Sequence, residues 1–447
     1  MSILKTYSKY IKDLFHLALP IIMGNVGIML IGAGSVFVAA RHSTDTLASI
    51  SIANSIISTI FMFGIGLLAS ISPLLSNFRG GGTNVKKYFF PTIGFAMLVA
   101  VFSMCIILLS VPLIDKIGFE PKLVSDIKTF MIVSAFSTFG GYLHASLKEF
   151  LQAFEIVFFP NFIAVISVFL NVLLSFIFVF GWFGLPAMGA IGIAISALIL
   201  RTFEGLCLLI FCFRFIKFKK PDLTTLKSAV GKYHELDYFK NLLKIGLPIA
   251  VAILFEFMAF NIITIIMGRV SGIYAAGQNI VLTIVTTTFM VPLSISTAIA
   301  VKVGFANGSR NFVDLKRYAF SGTAVSVLFM SICALSYILF PNFFVNIFTH
   351  DPTLIKICVP IMFIAGLFQI FDGLQVSLGG IFKGIKQTKI VMLGDLGAYW
   401  LIGLPLGFVL AFKYHMNLYG FWIGLATALF LLSMIFSIIL ARKFQKI

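Results

Sequence analysis

The chain has 447 residues, 60% of them hydrophobic and only 11% charged, with a formal net charge of +17. No soluble domain buries so large an apolar fraction, so the chain belongs in a bilayer, and the absence of period-two alternation excludes a β-barrel. In a soluble protein the positive surplus would suggest nucleic acid, but here the basic residues sit in short segments between apolar runs and report topology instead.

Apolar runs of roughly 20 residues or more, the length that crosses about 30 Å of hydrocarbon, predict helices in chain order. Six fall near 14–39, 48–76, 90–115, 127–150, 159–181 and 187–215. The first follows Lys5, Lys9 and Lys12 like a signal peptide, yet it outruns a signal-peptide core and reads as a retained helix. After a basic linker, six more fall near 242–268, 276–303, 318–345, 354–382, 390–412 and 418–441. The five cysteines, Cys105, Cys207, Cys212, Cys333 and Cys358, lack metal spacing and read as small core hydrophobes.

Alternate connections face opposite sides, and one set holds most of the positive charge. It contains Lys5, Lys9 and Lys12, then Arg79, Lys86 and Lys87, Lys148, and the linker from Arg214 to Lys240. Further along it contains Lys302, Arg310, Lys316 and Arg317, then Lys383, Lys386 and Lys389, and finally Arg442, Lys443 and Lys446. The other set carries Arg41, Lys116, Lys122, Lys128, Arg269, Lys356 and Lys413, partly offset by Asp115, Glu120, Asp126 and Asp351. By the positive-inside rule both termini and the linker face the cytoplasm, giving a multi-pass protein of a bacterial cytoplasmic (inner) membrane.

The chain repeats itself. At an offset of 228, Leu19-Pro20 matches Leu247-Pro248, Arg41 matches Arg269, Ser43 matches Ser271 and Gly80 matches Gly308. Met188-Gly189-Ala190 matches Tyr419-Gly420-Phe421 at an offset of 231. The expected fold is an all-α membrane protein with twelve transmembrane helices. They form two six-helix lobes, 1–215 and 241–447, joined by a basic cytoplasmic linker over 216–240. Parallel repeats imply pseudo-two-fold symmetry about the membrane normal and a cavity between the lobes, an architecture suited to transport.

An ionisable group at the bilayer centre costs on the order of 3 kcal/mol on insertion scales, so it generally has a function. Glu256 lies twelve residues from inner Lys244 and thirteen from outer Arg269, and Asp372 lies sixteen from outer Lys356 and eleven from inner Lys383. At about 1.5 Å per residue the two carboxylates share a depth near the midplane. With no basic residue at that depth on either helix, they call for a cation, sodium or a proton. Arg201 and Glu204, three apart, read as a local ion pair. Asp395 stands six residues inside Lys389, within reach of the interface, and Glu149 and Glu155 flank a turn where carboxylates are usually solvated. Asn171, Gln278, Asn279, Gln375 and Thr286-Thr287-Thr288 before Phe289 would line a cavity or tie helices together.

The order and spacing of GLPIAVAILFE ending at Glu256, AAGQNI near Gln278, VPLSISTAIAVKVG over 291–304, FDGLQV around Asp372 and GLPLGF after Gly403 resemble the multidrug and toxic compound extrusion (MATE) family. The likeness is to its NorM-like bacterial branch and covers almost the whole chain. It implies that Glu256 and Asp372 are the cation-site carboxylates of the C-terminal lobe. It further implies that organic, cationic or amphipathic drug-like compounds leave in exchange for sodium or protons by alternating access, with no other cofactor. Many members carry an aspartate in the first helix where the alignment puts Phe37, and a tyrosine where this chain has Phe368 one turn before Asp372. The missing aspartate places coupling in the C-terminal lobe alone. The partners expected are small organic substrates and the lipid bilayer, with neither nucleic acid nor an obligate protein partner. A flippase for a lipid-linked precursor is the nearest alternative. A membrane-embedded enzyme is the alternative of another class, and the six histidines, scattered mostly near segment ends, give it no site.

Overall fold

A computed structural model describes residues 2–216 and 232–446, with side chains described over 7–215 and 236–446. Among the described residues, twelve helices are long and apolar enough to cross a membrane. They are α1 (Tyr7–His42), α2 (Thr44–Gly80), α3 (Val85–Ile117), α4 (Pro121–Gln152), α5 (Phe158–Phe180) and α6 (Gly189–Phe215). The remainder are α7 (Leu236–Val270), α8 (Gly272–Gly308), α9 (Phe312–Leu339), α10 (Pro352–Gly384), α11 (Thr388–Lys413) and α12 (Asn417–Gln445). All twelve expected spans are present. Most of the expected linker over 216–240 lies outside the described residues, and its last residues already belong to a helix that begins at Lys232.

The repeat is visible in local structure. Pro20 and Pro248 each sit inside a helix, where proline removes a hydrogen bond and weakens the turn before it. Ser43 and Ser271 each cap the following helix in extended backbone, accepting the N–H of Thr46 and of Ile273. The chain forms two compact units, one of residues 20–250 and the other of 1–19 with 251–447. The division therefore falls at or just after the matched prolines.

One boundary differs from expectation. The ninth span ends at Leu339 rather than near 345, because Pro341 opens a separate short helix, Pro341–Asn346. Proline bars the residue before it from helical backbone, and Phe340 accordingly sits at φ −129° and ψ 47°.

Within residues 20–250, α4 packs against α6 through glycine. A Cβ on Gly140 would stand 2.5 Å from the Thr202 backbone nitrogen and 2.6 Å from the Arg201 carbonyl carbon. Small residues that let backbones touch are the usual means of helix association in lipid, where burial of apolar surface supplies no driving force. In the other unit Gly424 plays the same part against the Gly403 carbonyl oxygen and Gly407. Two lysines are held by carboxylates, Lys128 by Asp115 at 2.6 Å and Lys122 by Asp45.

Candidate cation site

The unit of residues 1–19 and 251–447 gathers its buried carboxylates from three helices. Glu256 stands on α7, Asp372 on α10 and Asp395 on α11. Asp372 and Asp395 are each 3% exposed, and Glu256 is half-buried. The Tyr399 hydroxyl donates to Glu256 Oε1 at 3.2 Å. The Gln375 amide donates to Asp395 Oδ1 at 2.8 Å. Asp372 has no hydrogen-bond donor among the described residues, and it lies within electrostatic reach of both Glu256 and Asp395. Lys383, nearer the end of α10, acts on Glu256 and Asp395.

Local sequence explains this arrangement. Asp395 and Tyr399 are four residues apart, on one face of α11, and the helix widens to π geometry over Gly397–Gly403. Glycines at both ends of that stretch suit a turn whose hydrogen bonds are poorer, and such turns recur at functional positions. Trp400, inside it, donates its indole N–H to the Phe255 carbonyl at 3.0 Å and fixes α11 against α7 one residue from Glu256. Phe260 and Phe368 close one flank, with Phe260 edge-on to both Phe368 and Tyr399.

The other cavity candidates separate clearly. Gln278 is buried and accepts the Trp422 indole N–H at 2.8 Å, so it ties α8 to α12. Phe368 is buried against the same Trp422 ring. Asn171 is buried in the other unit, where it donates to the Ile31 carbonyl and the Ser35 hydroxyl. Asn279 is exposed and Phe289 half-buried. Of the threonines, Thr288 joins Tyr337 and Gln369 in a polar node on α8, α9 and α10.

Several expectations are corrected. Asp395 does not reach an interface but is buried and bonded to Gln375. Tyr399 joins the carboxylates without having been expected from the sequence, where its place one turn from Asp395 is the signal that points to it. Glu155 is not simply solvated, since Arg79 Nη2 donates to it at 2.5 Å. Glu204 pairs with His144 rather than with Arg201, and Lys148, read as a cytoplasmic surface charge, is buried. Phe37 is 50% exposed beneath the Arg41 guanidinium, whereas the α1 side chain that meets Asn171 is Ser35.

No group of three or more His, Cys, Asp or Glu side chains is close enough to hold a metal ion among the described residues.

Hydrocarbon-length helices with carboxylates between them define an integral membrane protein. The family model MatE matches residues 20–177 and 248–409, and the chain belongs to that family. A probable multidrug resistance protein NorM from Mesorhizobium japonicum is 28% identical over 432 residues, 94% of this chain and 91% of that protein. The multidrug resistance protein NorM of Photobacterium profundum is 26% identical, with 94% and 92% covered. The eukaryotic MATE transporter AtDTX14 superposes with a TM-score of 0.85 at 20% identity, over 98% of this chain and 99% of that one. An outward-facing multidrug resistance MATE family transporter of the MOP superfamily gives 0.85 at 16% identity, over 98% and 96%. The fold is thus that of the MATE transporters, and the protein is a multi-pass membrane transporter rather than an enzyme.

Proposed function

We propose that the protein is a cation-coupled antiporter that exports organic, cationic or amphipathic drug-like compounds, with sodium or a proton as the coupling ion. The observation that carries this reading is the donorless Asp372, buried in the middle of a hydrocarbon-length helix and facing two further carboxylates. Three like charges taken out of water repel one another and lack hydration, so a cation or protons must accompany them. A site that fills and empties in this way ties ion movement to conformational state, provided the two transport states bind the ion unequally. The multidrug resistance names of the NorM relatives support the drug-like substrate class. The two six-helix lobes 1–215 and 241–447 with a cytoplasmic linker at 216–240, both termini inside and residence in a bacterial cytoplasmic membrane complete the proposal.

Efflux of a fluorescent organic cation from proteoliposomes, under separately imposed sodium and proton gradients, tests it. At least one gradient should accelerate export. Equal rates with both gradients, with either and with neither would overturn the coupling. Orientation has its own test: on a cysteine-free background, cysteines at Ser43, Gly184 and Asp351 should react with an impermeant maleimide added outside intact cells. Reaction only after lysis would reverse the topology.

A further inference from the structure

The unit of residues 20–250 contains a second buried set of ionisable side chains, which the proposed cation site does not use. His144 and Lys148 stand one turn apart on α4, and Arg201 and Glu204 three residues apart on α6. His144 is 6% exposed, Glu204 8% and Lys148 9%, and Arg201 is half-buried. The glycine contacts of α4 and α6 bring these side chains together: besides Gly140, a Cβ on Gly205 would lie 2.9 Å from the Gly140 carbonyl oxygen.

Glu204 Oε2 is 3.5 Å from His144 Nδ1, and neither ring nitrogen of His144 has a hydrogen-bond partner. Arg201 is fixed on two sides. It donates to the Ser137 hydroxyl at 2.9 Å, and its guanidinium lies 4.4 Å from the centre of the Phe61 ring. Lys148 Nζ reaches Asn25 Oδ1 only at 3.5 Å. The other titratable groups acting on the set are Tyr142, Glu149 and Cys207. Helix α5 has no ionisable residue, and those of α2 and α3 stand at the helix ends apart from the exposed Cys105.

The charge balance decides what such a set does. Arginine stays protonated in proteins, whereas lysine, histidine and glutamate exchange protons when crowded or buried. With Lys148 and Arg201 cationic, Glu204 anionic and His144 neutral, these four side chains carry one net positive charge, offset in part by the half-buried Glu149 at their edge. With one proton fewer the four are balanced. An unbalanced charge in a desolvated interior is costly, and groups this close titrate together rather than singly.

We propose that His144, Lys148 and Glu204, held against the fixed charge of Arg201, form a proton-exchanging site in residues 20–250, a second place where transport is tied to protons. The step is simple: one proton from water forms an N–H bond within the set, and its release to water restores the balanced state, with no other bond made or broken. Only the link to export rests on the antiport reading, and the exchange itself stands apart from it. Coupling would then not reside in the Glu256 and Asp372 site alone.

The test counts protons taken up by the purified full-length protein as the solution is stepped from about pH 8 to about pH 5. Lys148→Arg keeps a cation at the position but cannot release its proton. It should take up about one proton fewer than the wild type, and Glu204→Gln should change the count similarly, because the members titrate as one. The same difference should persist on a Glu256→Gln background, which separates this site from the first. A Lys148→Arg variant that elutes as a monodisperse peak and matches the wild-type count would make Lys148 a permanent structural charge and overturn the proposal. In proteoliposomes, Lys148→Arg should shift the pH profile of export. An altered proton count with an unchanged export profile would remove the coupling role.

Discussion

Glu256→Gln and Asp372→Asn are each expected to bring gradient-driven export close to background while leaving the protein folded. Each replacement keeps size and most hydrogen-bonding capacity and removes only the charge that a cation answers. Asp372 has no donor among the described residues, so its neutralisation breaks no existing bond. Glu256 accepts from Tyr399, and a glutamine carbonyl can still accept there. Driving force makes the loss large: each positive charge moving down the membrane potential contributes roughly 2.3 kcal/mol per 100 mV, and an uncoupled carrier cannot use it. With one ion shared between the two residues, as proposed, the double variant should be little worse than either single one. Substrate binding, measured separately by fluorescence, should survive in all three. Wild-type export in both single variants, with unchanged responses to sodium and pH, would show that the ion binds elsewhere.

The second large effect concerns the joint between α4 and α6. Gly140→Val adds three carbons where the first would already meet backbone atoms of Thr202 and Arg201. Backbone cannot rotate aside as a side chain can, so the cost should lie at or beyond the upper end of the roughly 1–3 kcal/mol typical of overpacking. The midpoint of thermal unfolding in detergent should fall by several degrees, and the His144–Glu204 contact should open with the helices. Gly82→Val, at a position with open space, is the comparison for generic loss of glycine, though its φ of +79° brings a penalty of its own. An unfolding midpoint for Gly140→Val equal to the wild type would mean that the helices are not held at this point.

The spans were legible because hydrophobic length is a strong signal and a lipid environment leaves the backbone few alternatives. The repeat was legible in matched positions such as Ser43 and Ser271, and the structure adds that both are helix caps. Glu256 and Asp372 could be ranked by counting residues from the flanking charges, since depth in a membrane is nearly linear in sequence. What linear counting cannot see is rotation about the helix axis and proximity across helices. Asp395 was judged by its distance from Lys389, and only the packed structure turns it inward to Gln375. Lys148 looked like one more cytoplasmic charge for the same reason. Its burial depends on α6 arriving alongside α4, fifty and more residues later in the chain.

The π-helical stretch over Gly397–Gly403, the first of two in α11, bears on how this protein can be improved or damaged. A π turn holds one residue more than an α turn, and removing a residue from a helix rotates everything on one side of it by about 100° relative to the other. Deleting Ile402 from Gly397–Gly403 would make α11 a more regular helix with better backbone hydrogen bonds. It would also swing Asp395 and Tyr399 out of register with Gly403 and the glycine contacts that seat the far half of α11 on α12. Regularity and activity are thus opposed in this one helix, so a search for thermally hardened variants is expected to collect silent transporters here.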